Sequence, residues 1–194
     1  MLKQLLTISL LTFTVCACAN DQTDLLADFK KDGAEKIKLL AMQLKQELTT
    51  AMQSGGPVQA VSTCHIKAPE VTDALNKEAP IQIRRTSLKL RNTNNQPDNW
   101  EQEVLQKFEQ QLKDGTPASE LVHAEKIESD STITLRMMKA IPTQGICLTC
   151  HGSEQTLAPE VLSTIKTNYP NDRATDYSVG EIRGAFSLTQ TINN

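Results

Sequence analysis

The 194 residues carry a formal net charge of −3, with 20 basic and 23 acidic side chains interspersed. No basic patch of the kind that binds nucleic acid or an anionic lipid surface stands out, and no repeat or low-complexity tract breaks the chain. A length of this order suits one domain with a real core and leaves little room for a second.

The chain opens Met1-Leu2-Lys3, runs apolar from Leu5 to Val15 and reaches small residues at Ala17 and Ala19. That is the layout of a secretory signal, and it is too short for a permanent membrane span. Residues 1–19 are therefore expected to be a signal peptide and 20–194 a single exported domain, located in the periplasm. Cleavage before Asn20 would follow Ala17-Cys18-Ala19. Cleavage before Cys18 would follow a lipobox-like Val15-Cys16-Ala17-Cys18 and leave a lipid anchor on Cys18.

From Asp24 onward Leu26, Phe29, Gly33, Ile37, Leu40, Leu44 and Leu48 recur at helical spacing, predicting a long helix that ends at Ser54-Gly55-Gly56. Pro57 suits the first turn of a second helix carrying Cys64 and His65 near its end, with Pro69 interrupting or restarting it. The stretch Pro80 to Asn92 alternates as a half-buried strand does. Asp98 and Glu101 can cap a helix whose Trp100, Val104, Phe108 and Leu112 share a face, closed by Asp114-Gly115. The segment around His123 reads as loop-like. Further strands are expected over Thr132 to Pro142 and Glu181 to Thr191, with a short helix from Pro159 to about Lys166 between them. This order predicts an α+β domain built on an antiparallel sheet.

Within Gln144 to Ser153, Cys147 and Cys150 stand three positions apart and His151 follows directly. Cys-x-x-Cys-His is the attachment signature of a c-type haem: two thiols add across the vinyl groups and the histidine takes the proximal side of the iron. A zinc site would need about four ligands, with only Cys64, His65, His123 and His151 to add to the pair. A redox dithiol would be expected after a strand in an α/β layout, which is absent. Candidates for the sixth iron position are Cys64, His65, His123, Met42, Met52, Met137 and Met138. The methionines fit core positions and His123 a surface position. Cys64 is preferred because it is the thiol left over once the leader is removed and the pair is attached, with His65 as substitute. Adjacent helical residues point about 100° apart, so only one of the two can face the iron.

The segments "AVSTCHIKAPEV", "IRRTSLKLRNTNNQPDNWE", "ICLTCHG" and "YPNDRATDYSVGEIRGAFSLT" together resemble a family of single-haem, c-type domains with a PAS-like core. Its members, formerly a domain of unknown function, occur as small exported proteins and as sensory parts of signalling proteins. The resemblance implies a PAS-like antiparallel sheet with long N-terminal helices and one covalent haem c. It implies thioethers at Cys147 and Cys150, proximal ligation by His151 and distal ligation by Cys64. Arg84, Arg85, Lys89 and Arg91 would lie near the family's sheet, with Arg84 and Arg85 as propionate contacts.

These readings lead to a periplasmic mono-haem c-type cytochrome in redox sensing or electron transfer, meeting a redox or signalling partner protein and no nucleic acid. The alternative is a gas or small-ligand sensor in which Cys64 leaves the iron and signals through a partner. No set of acid, base and nucleophile argues for an enzyme.

Overall fold

The computed structural model describes residues 21–193. The expected leader over residues 1–19 and the candidate lipid site at Cys18 lie outside the described residues. No helix among the described residues is long and apolar enough to cross a membrane.

The long N-terminal helical segment, α1 (Asp21–Asn76), is broken at Gly55 (φ −160°, ψ 18°) and Gly56 (φ 67°, ψ −161°). Gly56 occupies a region of backbone space that only glycine enters cheaply. The two parts on either side of this break share their surroundings: Leu44 and Leu48 line one cavity with Val61 and Ala68. Pro69 does not interrupt the second part, since inside α1 only the two glycines depart from helical geometry. The carbonyl that Pro69 leaves without an amide belongs to His65, on an exposed turn where water can reach it. Cys64 accordingly sits in the middle of this second part rather than near its end.

Strands β1 (Gln82–Thr86), β2 (Val122–Glu128), β3 (Thr132–Pro142) and β4 (Ile182–Asn193) form one antiparallel sheet in the order β1-β4-β3-β2. The expected strand from Pro80 to Asn92 shrinks to the five residues of β1, and the loop-like segment around His123 is edge strand β2. Directly paired residues share a face. Ile83, Leu188 and Met137 thus line up across three strands and bury against Phe29, Ile37 and Leu40 of α1. Gly33 lets the helix approach closely, because a Cβ there would stand 3.3 Å from Leu188 Cδ2.

The other face packs Met138, Ala140 and Ala185 against Val104, Leu105 and Phe108 of α2 (Asn99–Lys113). The Asp98–Glu101 capping box forms as expected. Helices α3 (Leu148–His151) and α4 (Pro159–Asn168) fill the connection from β3 to β4. Val161 and Ile165 of α4 bury against Val61 of α1, with Cys150 packed at the edge of this cluster. The architecture is α+β, with helical layers on both faces of an antiparallel sheet.

Candidate functional site

Where the second part of α1, the turn leading into α3 and the sheet end meet, there is a cavity of about 290 Å³. Cys64, Cys147, Cys150, His151 and Arg85 all line it. The sequence distance between Cys64 and the Cys-x-x-Cys-His turn is thereby closed. His65 is exposed and turns instead to Tyr169, with ring centroids 4.9 Å apart and nearly perpendicular. Of the two neighbours on the helix, Cys64 faces the cavity.

Cys147 lies at the end of a 3-10 turn (Gly145–Cys147), and α3 follows without a break. This single tight turn presents both thiols and the imidazole to the same space. Cys64, Cys147 and Cys150 are all free thiols. Burial pushes the Cys64 thiol above its ordinary pKa, against the pull of Arg85 and Arg91. Burial likewise raises that of Cys150, again against Arg91.

His151 is held from two sides. Its Nδ1 lies 2.7 Å from the carbonyl oxygen of Ala174, and the carbonyl can only accept, so Nδ1 carries the proton. Nε2 is therefore the nitrogen with the free lone pair, and Arg183 Nε donates to it at 3.3 Å. Burial, with Arg183 and Arg91 adding to it, pushes the imidazole pKa well below its usual value, so the ring is neutral. A neutral imidazole with Nδ1–H on a backbone carbonyl and an unprotonated Nε2 is the form that ligates a metal, which would here take the place of the Arg183 N–H on that lone pair.

The segment from Asp172 to Tyr177 cradles this turn. The Asp176 and Tyr177 amides donate to the carbonyls of Gly152 and His151 at 3.1 and 3.0 Å. Arg91 crosses beneath, pairing with Asp172 at 3.0 Å and donating to the Cys150 carbonyl at 2.7 Å. Tyr169 lines the cavity, and burial together with Cys64 pushes its phenol up to about 12, so it remains protonated.

Arg84 does not join this cluster. Side chains alternate along β1, so Arg85 shares the α1 face with Ile83 while Arg84 points to the α2 side. There it pairs with the buried Glu101 at 2.8 Å and donates to the carbonyls of Asn94 and Gln96. Lys89 reaches the carbonyls of Thr175 and Asp176 and stands over the Tyr177 ring. His123 lies on β2 between Trp100 and Glu125, on the α2 side of the sheet. Met137 and Met138 are buried in the two sheet-face cores, and Met42 is exposed.

Arg183 is a cavity residue that sequence alternation hides. Ile141 pairs with Gly184 and Pro142 with Ile182, which leaves Arg183 without a partner on β3. This β-bulge lets Ile182 and Ala185, three positions apart, enter the same core cluster. The unpaired Arg183 carbonyl is taken up by the Ser87 hydroxyl at 2.8 Å.

The fold and site thus define an α+β domain in which a Cys-x-x-Cys-His turn and a cysteine from a distant helix share one cavity. The chain belongs to the Tll0287-like family, whose model matches residues 22–191. A solved structure described as that of the cyanobacterial heme-protein Tll0287 is similar at a TM-score of 0.58 and 22% identity. The match covers 84% of this chain and 98% of that one. Among curated proteins nothing matches.

Proposed function

We propose that this chain is an exported mono-haem c-type cytochrome, acting in redox sensing or electron transfer through a partner protein in the periplasm. The observation that carries the reading is the convergence of Cys64, Cys147, Cys150 and His151 on one cavity. Cys147 and Cys150 would hold the porphyrin by thioethers, and His151 Nε2 and Cys64 would be the axial donors. A bound haem c supplies one-electron chemistry at iron.

The donor set supports haem over zinc. A zinc ion asks for about four protein ligands gathered on one point. Although Cys64, Cys147, Cys150 and His151 share the cavity, no three His, Cys, Asp or Glu side chains among the described residues are grouped closely enough to hold one ion. Iron in a porphyrin would ask the protein for two. Cys64 and His151 are such a pair, one from α1 and one from α3. The described relative is named a heme-protein, in keeping with this assignment.

The protein's own part is to fix and to shield. Ala174 holds the His151 ring in one tautomer and orientation, and a histidine so held is a stronger ligand. The side chains of Leu44, Leu48, Val61 and Ala68 keep the cavity wall apolar around Cys64. A thiolate donor lowers the potential of iron relative to a neutral one. With His151 and Cys64 both donating, a bound haem iron would offer no open position to a substrate, which supports a non-catalytic role.

The test is expression with a haem-attachment system. A red protein that keeps its pigment through acid-acetone extraction, and loses it on Cys147→Ala/Cys150→Ala, is expected. Colourless, zinc-loaded wild type from the same cells would overturn the reading. Spectra of the reduced protein with and without carbon monoxide then separate a closed electron carrier, which stays unchanged, from a ligand-responsive sensor.

A further inference from the structure

The cavity is cationic against the sign of the whole chain. Lys45, Lys67, Arg85, Arg91 and Arg183 line it against a single carboxylate, Glu47, although the chain's net charge is −3. Two of these cations are paired elsewhere, Arg91 with Asp172 and Lys67 with Glu70. Arg85 and Arg183 have no carboxylate partner among the described residues.

These two guanidinium groups flank a second, smaller cavity of about 140 Å³ that is also walled by Ser87, His151 and Gly184. Arg183 is aimed there by the bulge and anchored, its Nη1 donating to Ser87 Oγ at 3.0 Å and to the Lys89 carbonyl at 3.3 Å. Arg85 reaches it from the neighbouring strand, on the face shared with Ile83. Two half-buried cations with no counter-charge among the described residues carry a desolvation cost that an anion would offset.

We infer that Arg85 and Arg183 form a two-guanidinium seat for carboxylate groups, which on the haem reading are the propionates of the porphyrin. The inference rests on that reading and replaces Arg84 with Arg183 as the partner of Arg85. A guanidinium fork matches a carboxylate in two parallel hydrogen bonds, which Arg183 could offer through Nη2 together with Nε once iron takes Nε2 of His151, and two guanidinium groups match the two propionates in charge. The seat lies beside His151, so an anchored propionate would also fix the porphyrin about the axial bond.

The experiment is resonance Raman spectroscopy of the haem-loaded full chain, read at the propionate bending bands, which move when hydrogen bonds to the carboxylates are lost. Arg85→Gln and Arg183→Gln should each shift these bands, whereas Lys107→Gln on α2 should not. Where a glutamine variant fails to accumulate, the lysine variant is read instead, since it keeps the charge but loses the fork and should shift the same bands. Unshifted bands in both arginine positions overturn the inference. So does inorganic phosphate that binds the pigmented wild type, and not the arginine variants, without moving the propionate bands, which would mean that the seat takes a free anion. A wild type that holds no pigment would instead sink the haem reading.

Discussion

The Nδ1 of His151 lies 2.7 Å from the carbonyl oxygen of Ala174, so backbone contributed just before β4 sets the tautomer of a side chain on α3. What holds Ala174 in place is Asp172. Its carboxylate accepts from the Ala174 amide at 2.9 Å and from Arg91 at 3.2 and 3.0 Å. Arg91 in turn donates to the carbonyl of Cys150. One largely buried ion pair therefore joins the loop after β1, the Cys-x-x-Cys-His turn and the segment that aims the imidazole.

Asp172→Ala should cost about 3 kcal/mol, because it leaves the Arg91 charge buried with only carbonyl partners. The fall in the urea midpoint measures this. Arg91→Ala should cost a similar amount, and the double variant less than the two together, since the second change removes a charge already unpaired.

Sequence pattern located the elements that have one clean face and failed where a local irregularity decides direction. Thr132 to Pro142 is rich in residues that fit a pleated sheet and is β3 residue for residue. The edge strand β2 looks loop-like in sequence because it carries Glu125, Lys126 and Glu128 and is half exposed along its length, so no apolar face advertises it. The motif cysteines and His151 stood out as a contiguous string. Arg84 and Arg85 could have been separated by the two-residue period of β1, which sends them to opposite faces. Arg183 could not, since strict alternation gives no sign of the bulge that redirects it.

Gly184→Ala tests that bulged edge of the sheet. A Cβ at this position would stand 2.4 Å from the Thr86 backbone oxygen, an atom that cannot yield without parting β1 from β4. The expected loss is about 1–3 kcal/mol of stability, as for overpacking in a rigid site. Amide exchange should quicken at β1 residues before it does in β2. Equal protection in the variant and the wild type would show that the strands can shift freely here.

The helix cap at Asp98 has a pH signature of its own. Partial burial works to raise its carboxyl pKa, but the Glu101 amide and Arg136 outweigh this, and the net shift is downward. A carboxylate held lower in the folded state than in the unfolded one stabilises above the unfolded value of about 3.9. That contribution disappears as pH falls through the lower folded value. Asp98→Ala should cost about 1 kcal/mol at neutral pH by loss of the cap. The gap between the variant and the wild type should narrow below pH of about 4, which denaturant titrations at both pH values would show; a constant gap would contradict the assignment.

Cys64 and His65 give the sharpest test of the site, because they are adjacent and only Cys64 lines the cavity. If the Cys64 thiolate is the distal donor, oxidised protein should show a low-spin histidine–thiolate spectrum. Cys64→Ala and Cys64→Ser should both lose it, since neither a methyl group nor a hydroxyl is a good axial ligand. Any imidazole that took over in Cys64→Ala would raise the potential, as a neutral donor gives less charge to iron than a thiolate. His65→Ala should leave the spectrum unchanged and remove only the edge contact with Tyr169. The reverse ordering would require α1 to turn so that His65 enters the cavity. It would make the site bis-histidine, remove the reason for a low potential and return Cys64 to a small half-buried wall residue.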